Sequence, residues 1–417
     1  MTLTQTLETI VWGFSVILTI YGFYFMIMSI FAFLPLKASN KYEPKNKFGI
    51  VIAARNEEVV IGNLVDSLKL QNYPKELYDI IVVPNNCTDN TKGVAIAHGA
   101  HIYEPKSLIK SKGDVLKEVF DHLLTRDYNY DAFLVFDADN VVDENFIAEM
   151  NNAIIEGSEV AQGYRSSKNP YDNYMTGNST IYYGLVNRFF NRPRNSIGMS
   201  GMINGTGFMV KASILRELGG YRTTTLTEDI EFSTQIILKG KKINWIHEAI
   251  TYDEQPESFD ASWKQRMRWT IGTIQCNKVY LGELLKGIGK KNGLQNFDFA
   301  MFYIAPLTQV LSIFSAISII ALNLLYLENN VTELSSVLGL LVVTGLISYA
   351  ATVFIGMAVI KLEKWSLRKS FKGIATFAFY LITWLPINVI SIVKPDTTWH
   401  EIKHNRKIAI DRKSGPR

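Results

Sequence analysis

The sequence predicts an α/β domain with a mostly parallel sheet, inserted between membrane-crossing helices. Three observations predict it. Thr9 to Leu34 carries no charged residue, and further apolar stretches lie at about Phe299–Leu327, Leu334–Ile360 and Ile374–Val393. Each is long enough to meet a hydrocarbon core of roughly 30 Å. Between them, over about 40–295, the acidic residues collect, and short continuous apolar runs alternate with segments of helical periodicity. Strands that are continuously apolar rather than alternating belong to a parallel sheet covered on both faces.

The elements follow in order. The first apolar stretch lacks the cationic start of a signal peptide and is too long for one, so it reads as a span. Phe48–Ala54 is a buried strand broken by the polar turn Arg55-Asn56-Glu57-Glu58, and Val59 to Leu70 has helical spacing. Tyr78–Pro84 is a second buried strand, ended by the turn cluster Asn85-Asn86-Cys87-Thr88-Asp89-Asn90. Ala100–Tyr103 is a shorter third, Leu116–Leu124 a helix and Ala132–Phe136 a fourth strand. The polar clusters at 53–58, 85–90 and 137–139 all fall at strand carboxyl ends, where open α/β sheets bind ligands. Four units result: a span over 1–36, a soluble domain with an interfacial segment over 37–295, membrane or interfacial helices over 296–394, and a basic tail over 395–417.

Charge orients the chain. Residues 1–36 have no Lys or Arg, whereas Lys37, Lys41, Lys45 and Lys47 follow the first span and Lys361, Lys364, Arg368, Lys369 and Lys372 crowd a later connection. By the positive-inside rule the N-terminus and the 327–334 connection are outside and the soluble domain is cytoplasmic, in a multi-pass cell-membrane protein. Three simple C-terminal spans would carry the basic tail outside. Pro306 and Pro386 interrupt helical hydrogen bonding, so one of these segments is expected to be interfacial or re-entrant, with the tail inside. The net charge of +4 reflects those flanks and does not indicate nucleic-acid binding. The two cysteines, Cys87 and Cys276, have no ligand spacing and point to a reducing compartment.

Four groups of residues can carry chemistry. Asp137 and Asp139 follow a buried strand with one small residue between them. Two carboxylates there suit an oxygen-bound Mg²⁺ or Mn²⁺ ion, or stand as a solvated pair at a loop start. Glu228 and Asp229 begin an amphipathic helix. They either complement its dipole or supply a general base, Asp229, supported by Glu228. The block Gln265-Arg266-Met267-Arg268-Trp269 combines a diphosphate-bracing arginine with an aromatic wall, and equally fits an amphipathic interfacial helix. The loop Gly201–Gly207 admits close backbone approach. No phosphate-binding G-x-x-x-x-G-K-[ST] loop is present.

In this order the motifs resemble the membrane-embedded family 2 inverting glycosyltransferases, such as hyaluronan, chitin, cellulose and poly-N-acetylglucosamine synthases. The resemblance implies a GT-A-like fold, a nucleotide-sugar donor (usually a UDP-sugar) and a divalent cation. Residue by residue it implies Asp139 as metal ligand, Asp137 at the donor diphosphate and Asp229 as base. Gln265, Arg268 and Trp269 match a Q-x-x-R-W signature. Ala54, Arg55, Asn56 and Glu57 would line the nucleoside pocket with Asn85 or Asn86, and Lys112-Gly113 matches a lysine-glycine pair. Many relatives carry an acidic residue where Asn85-Asn86 stand, so donor identity is less defined here. The expected product is a polysaccharide made processively on a glycan or lipid acceptor, with room for an accessory membrane subunit. A glycolipid synthase adding one sugar, and more remotely a non-catalytic transporter or scaffold, are the alternatives.

Overall fold

The computed structural model describes residues 2–36, 39–125, 128–326 and 331–395. The basic tail beyond residue 395 and the 327–330 connection lie outside the described residues.

The chain opens with α1 (Leu3–Ile30). Its start is set by a reciprocal cap: the Gln5 N–H donates to the Thr2 hydroxyl and the Thr2 N–H to the Gln5 side chain. The sheet of the central domain then builds up as a series of crossovers. Strand β1 (Phe48–Ala54) leads to α2 (Ile61–Lys69), β2 (Tyr78–Pro84) to α3 (Thr91–Ala97), and β3 (His101–Ile102) to α4 (Lys112–Thr125) and β4 (Ala132–Asp137). These four strands lie in the order β3-β2-β1-β4 and all pair parallel. Alternate β1 residues serve opposite layers: Phe48, Ile50 and Ile52 pack with α2, and Val51 with α4.

Beyond β4 the sheet is mixed. β5 (Val141–Val142), α5 (Phe146–Ile155), β6 (Val160–Ser167), α6 (Tyr174–Leu185) and, after a π-helical turn over Val186–Asn191, α7 (Arg192–Ser196) come next. β7 (Phe208–Lys211), α8 (Ala212–Leu218), α9 (Glu228–Leu238) and β8 (Ile243–Asp253) complete the domain. The sheet continues from β4 as β7-β6-β8-β5, with β7 antiparallel to both β4 and β6, β8 parallel to β6 and β5 antiparallel to β8. A register shift between Gly163 and Tyr164 bends β6. The expectation of a mostly parallel sheet thus describes the first half, and the antiparallel pairs fall in the second.

From β8 the chain enters α10 (Phe259–Gly287), α11 (Gly293–Tyr303), α12 (Ala305–Tyr326), α13 (Val331–Leu362), α14 (Phe371–Ile382) and α15 (Trp384–Val393). Among the described residues four helical stretches are long and apolar enough to cross a membrane: Leu3–Phe33, Ala305–Leu325, Leu341–Leu362 and Phe371–Val393. Both prolines stand in the first turn after a break, Pro306 opening α12 and Pro386 opening α15, where the missing N–H costs least. The last stretch is therefore two consecutive helices joined at Thr383, about 18 and 15 Å long by helical rise, which only together are long enough to cross the hydrocarbon core.

Two connections fasten the central domain to these helices. α6 packs on α13 and α14, sharing the cluster Met175, Ile181, Val359 and Phe377. A buried node joins α1, α7 and α11: Arg194 donates to both Asp298 oxygens at 2.7 Å, and the Tyr24 hydroxyl donates to the same carboxylate at 2.5 Å.

Candidate active site

The carboxyl ends of β1, β2 and β4 converge on one cleft. After β1, Ala54 ends the strand, Arg55 is half-buried and Asn56 takes a left-handed turn at φ 57°. The Asn56 side-chain oxygen accepts the Thr88 N–H at 2.8 Å, joining the first turn to the second. The Glu57 N–H donates to the Thr91 hydroxyl. After β2, Asn85 donates to the Ala54 carbonyl through its backbone and its side-chain amide, at 2.9 and 3.1 Å. The Asn86 amide donates to the Ile109 carbonyl at 2.9 Å. One side-chain N–H of each asparagine is thus taken by the backbone, which fixes both side chains at the cleft.

Asp137 ends β4. The Lys112 ammonium donates to it at 2.5 Å and to the Gly205 carbonyl at 2.6 Å, and stands 3.7 Å from Glu228. Gly205, at φ 83°, presents that carbonyl from a backbone conformation that side chains disfavour. Burial alone would raise the Asp137 carboxyl, but Lys112 and, more weakly, Arg165 and Arg268 hold it below its usual range. Arg268 of α10 therefore lies in the electrostatic reach of Asp137, although far away in sequence. Asp139 is buried, held between the Asn140 amide at 3.2 Å and the Glu254 N–H at 3.3 Å.

This corner is overloaded with negative charge. Burial first, then the carboxylates of Asp139, Asp137, Glu254 and Asp89, push Glu57 up to about 9. A buried Glu57 oxygen has no hydrogen-bond partner. Among the described residues no three acidic, histidine or cysteine side chains converge on one point. An oxygen donor set of one or two carboxylates nevertheless fits Mg²⁺ or Mn²⁺, which complete their shells with water and phosphate oxygens.

Glu228 and Asp229 open α9, as expected. Burial, reinforced by Glu228, pushes Asp229 up to about 7. Its carboxyl faces the backbone of Gly205 and borders a cavity of about 870 Å³. That cavity runs from Asp229 and Arg165 past Trp269 to α12, α13, α14 and α15.

The Gln265–Trp269 block lies on α10 and splits between two faces. Arg266 turns away from the cleft and is fully buried. It donates to the Tyr380 carbonyl at 3.0 Å and the Thr383 hydroxyl at 2.6 Å, at the break between α14 and α15. Gln265 and Arg268 are half-buried. Trp269 lines the cavity, with ring centroids 6.0 Å from Tyr182 and 6.4 Å from Trp384, both stacked. Gly272, one turn on, lets α10 touch Thr227 just before Asp229; a Cβ there would collide with the Thr227 side chain.

Several site groups carry no sequence signal. Arg165 of β6 is bound by Asp253 of β8 at 2.5 Å, donates to the Asn204 carbonyl at 2.6 Å and lies 4.2 Å from the Tyr183 ring. Lys168, held below its usual range by burial, sits among Asp139, Glu254 and Asp253. Deeper in the cavity, Asn388 donates to Gln309 at 2.6 Å and accepts from Thr270 at 3.3 Å, a polar string between membrane helices.

Comparison with known proteins supplies the context for this geometry. A family model described as glycosyl transferase family group 2 matches residues 132–362. A probable glycosyltransferase, YdaM, of Bacillus subtilis (strain 168) is 26% identical over 289 residues, 67% of this chain and 67% of the relative. The beta-monoglucosyldiacylglycerol synthase of Nostoc sp. is 25% identical, covering 64% of this chain and 58% of its own. The poly-beta-1,6-N-acetyl-D-glucosamine synthase of Staphylococcus epidermidis is 24% identical, covering 57% of each. The chain thus spans less than two thirds of the length of these last two. Among solved structures, a mannosyltransferase of Pyrobaculum calidifontis in complex with GDP-Man and Mn²⁺ superposes with a TM-score of 0.61 at 16% identity, over 94% of this chain and 100% of that one.

Proposed function

The chain belongs to glycosyl transferase family group 2, and from that premise we propose that it moves a sugar from a nucleotide-sugar, a UDP-sugar on our reading, to a hydroxyl presented in the membrane-facing cavity, with inversion. The observation that carries this is the position of Asp229. It follows Glu228, lies in the field of Lys112 on the donor side and lines the cavity on the other.

In this reading Ala54, Arg55, Asn56 and Glu57, with Asn85 and Asn86, hold the nucleoside. Lys112, Asp137 and Arg268 surround the diphosphate. Asp139 would hold a Mg²⁺ or Mn²⁺ ion, with Glu57 and Glu254 in the same charge cluster. When bound, such an ion offsets charge developing on the leaving diphosphate. Asp229 takes the proton of the acceptor hydroxyl as its oxygen attacks the anomeric carbon from the face opposite the diphosphate. The new glycosidic bond forms, the bond to the diphosphate breaks, and the configuration inverts. Arg165, anchored by Asp253, fixes the wall against which the acceptor sits. Trp269, stacked on Tyr182 and Trp384, provides a flat surface for an acceptor sugar, which supports stepwise lengthening of a glycan.

A second reading has its own observation. Phe302, Leu381, Ile382 and Leu385 make the deeper cavity wall apolar, and the wall passes between α12 and α13. Among the described residues α12 packs mainly on α1 and α15, and α13 on α14 and α6. That arrangement suits a lipid-borne acceptor arriving sideways from the bilayer, with one sugar added. Incubating the purified protein with labelled nucleotide-sugars, Mn²⁺ and membrane lipid tests both. Material of many sugar units supports the first reading, and a singly glycosylated lipid with donor in excess supports the second. Transfer from no nucleotide-sugar would overturn the assignment.

A further inference from the structure

Outside the active-site cavity, the ends of α1 and α13 meet the π-helical turn and the strands β6 and β8. Just past α1, the Leu34 carbonyl accepts from Arg192 at 3.0 Å. Just past α13, Glu363 accepts the Tyr164 hydroxyl at 2.6 Å and lies 3.8 Å from Arg188. One carboxylate therefore faces two guanidiniums, with Lys364 next in the chain. His247 lies in the field of all four. Burial first holds its imidazole below the usual range, and Arg192, Arg188 and Lys364 add to that against the pull of Glu363.

The cluster has more donors than acceptors. Arg188 Nε, Arg192 Nε and Trp245 Nε1 are buried donors without a hydrogen-bond partner, and His247 Nδ1, donor or acceptor according to tautomer, is buried without one as well. Trp245 is only 3% exposed, and its ring lies 5.3 Å from His247. Buried N–H groups without acceptors are rare and costly. Positive charge in excess, with several unmet donors, is the complement of a phosphate group, which offers oxygens and negative charge together. The location selects the source. Two membrane helices end here, on the side of the catalytic domain, and the exposed Phe33 ring contacts Phe189 at 6.1 Å beside the two arginines. A helix of this length that crosses a bilayer ends at headgroup depth. These basic residues are not among those lining the active-site cavity.

We propose that Arg188, Arg192, His247 and Trp245 bind the phosphate of an anionic lipid headgroup at the bilayer face, a site separate from the donor cleft. The test uses the full chain purified in a neutral detergent. Phosphatidylglycerol, net-neutral phosphatidylcholine and inorganic phosphate are titrated separately, and bound ligand is read by native mass spectrometry. Wild type should retain phosphatidylglycerol in preference to phosphatidylcholine. Arg192→Gln and Arg188→Gln should each weaken it about tenfold or more, the loss of one charge-assisted hydrogen bond. Arg192→Lys should keep most of the binding, and Lys372→Gln, an exposed charge in the basic connection after α13, should keep all of it. If Arg188→Gln fails to fold because Glu363 loses its partner, Arg192→Gln alone decides. Equal retention by wild type and Arg192→Gln would overturn the site. So would an equal loss in Lys372→Gln, which would mean diffuse surface attraction. Binding of inorganic phosphate without phosphatidylglycerol would overturn the lipid source.

Discussion

At the scale of single residues, the proposed function rests on Asp229 as the base. A carboxylate near 7 is ionised enough at neutral pH to accept a proton and basic enough to hold it. Turnover at low acceptor concentration should fall as pH drops below about 7, by about tenfold per unit once the carboxyl is mostly protonated. Asp229→Asn should lose about 10²–10⁴-fold in rate with little change in donor affinity, measured by initial rates and nucleotide titration. The same residue affects stability with a defined sign. Folding raises its pKa from 3.8 to about 7, so its contribution is fully present below the ordinary value and is lost as pH rises through about 7. Asp229→Asn should therefore melt no lower than wild type at alkaline pH, although nearly inactive. A melt well below wild type would mean that the carboxylate is structural. Asp139 and Glu57 give a second expectation: chelation should abolish transfer, Mn²⁺ or Mg²⁺ should restore it, and Asp139→Asn should respond to neither. Full activity in excess chelator would remove the cation from the mechanism.

At the scale of elements, α10 is the most consequential. Its two arginines, two residues apart, serve different masters. Arg268 adds to the field on Asp137, and Arg266 caps the open end of α14. Arg266→Gln should lower the melting temperature in detergent, because the Tyr380 carbonyl and Thr383 hydroxyl lose a charged donor. A loss of about 1.5–3 kcal/mol is the expected size. Trp269→Ala should leave nucleotide binding intact and give short products or none, read by sizing on a gel. Part of this was legible in the residues. The strands Phe48–Ala54 and Tyr78–Pro84 fall where continuous apolar runs place them, because burial on both faces leaves no polar alternation to blur their ends. The helix start at Glu228 follows from its acidic first turn. β6 and β8 were not legible, since Gln162, Arg165 and Glu248 interrupt their apolar pattern. Nor was the Arg165–Asp253 pair, whose members come from different strands, nor the use of Arg266, whose acceptors lie more than a hundred residues away.

At the scale of the whole molecule, the domain packs directly on the membrane-length helices. α6 lies on α13 and α14, and the Arg194–Asp298–Tyr24 node ties α1 to α7 and α11. The charge pattern predicts an orientation: a cysteine at residue 332 should react with an impermeant maleimide in intact cells, and one at Ser366 should not, in a background with Cys87 and Cys276 replaced. The reverse pattern would invert the topology.

The cap that Arg266 places on the broken last span has a thermodynamic corollary. α10 is one continuous rod, and its neighbouring turns touch the nucleotide cleft and the bilayer-embedded break. In the proposed function the donor binds at Arg268, and whatever part of that free energy α10 passes to the Arg266 bonds at Tyr380 and Thr383 is returned by linkage in equal measure. Thr383→Val, remote from the cleft, should therefore shift the nucleotide dissociation constant. Saturating nucleotide should in turn slow amide exchange at residues 380–384 by the matching factor, so that the lipid-embedded helices report whether the donor site is filled.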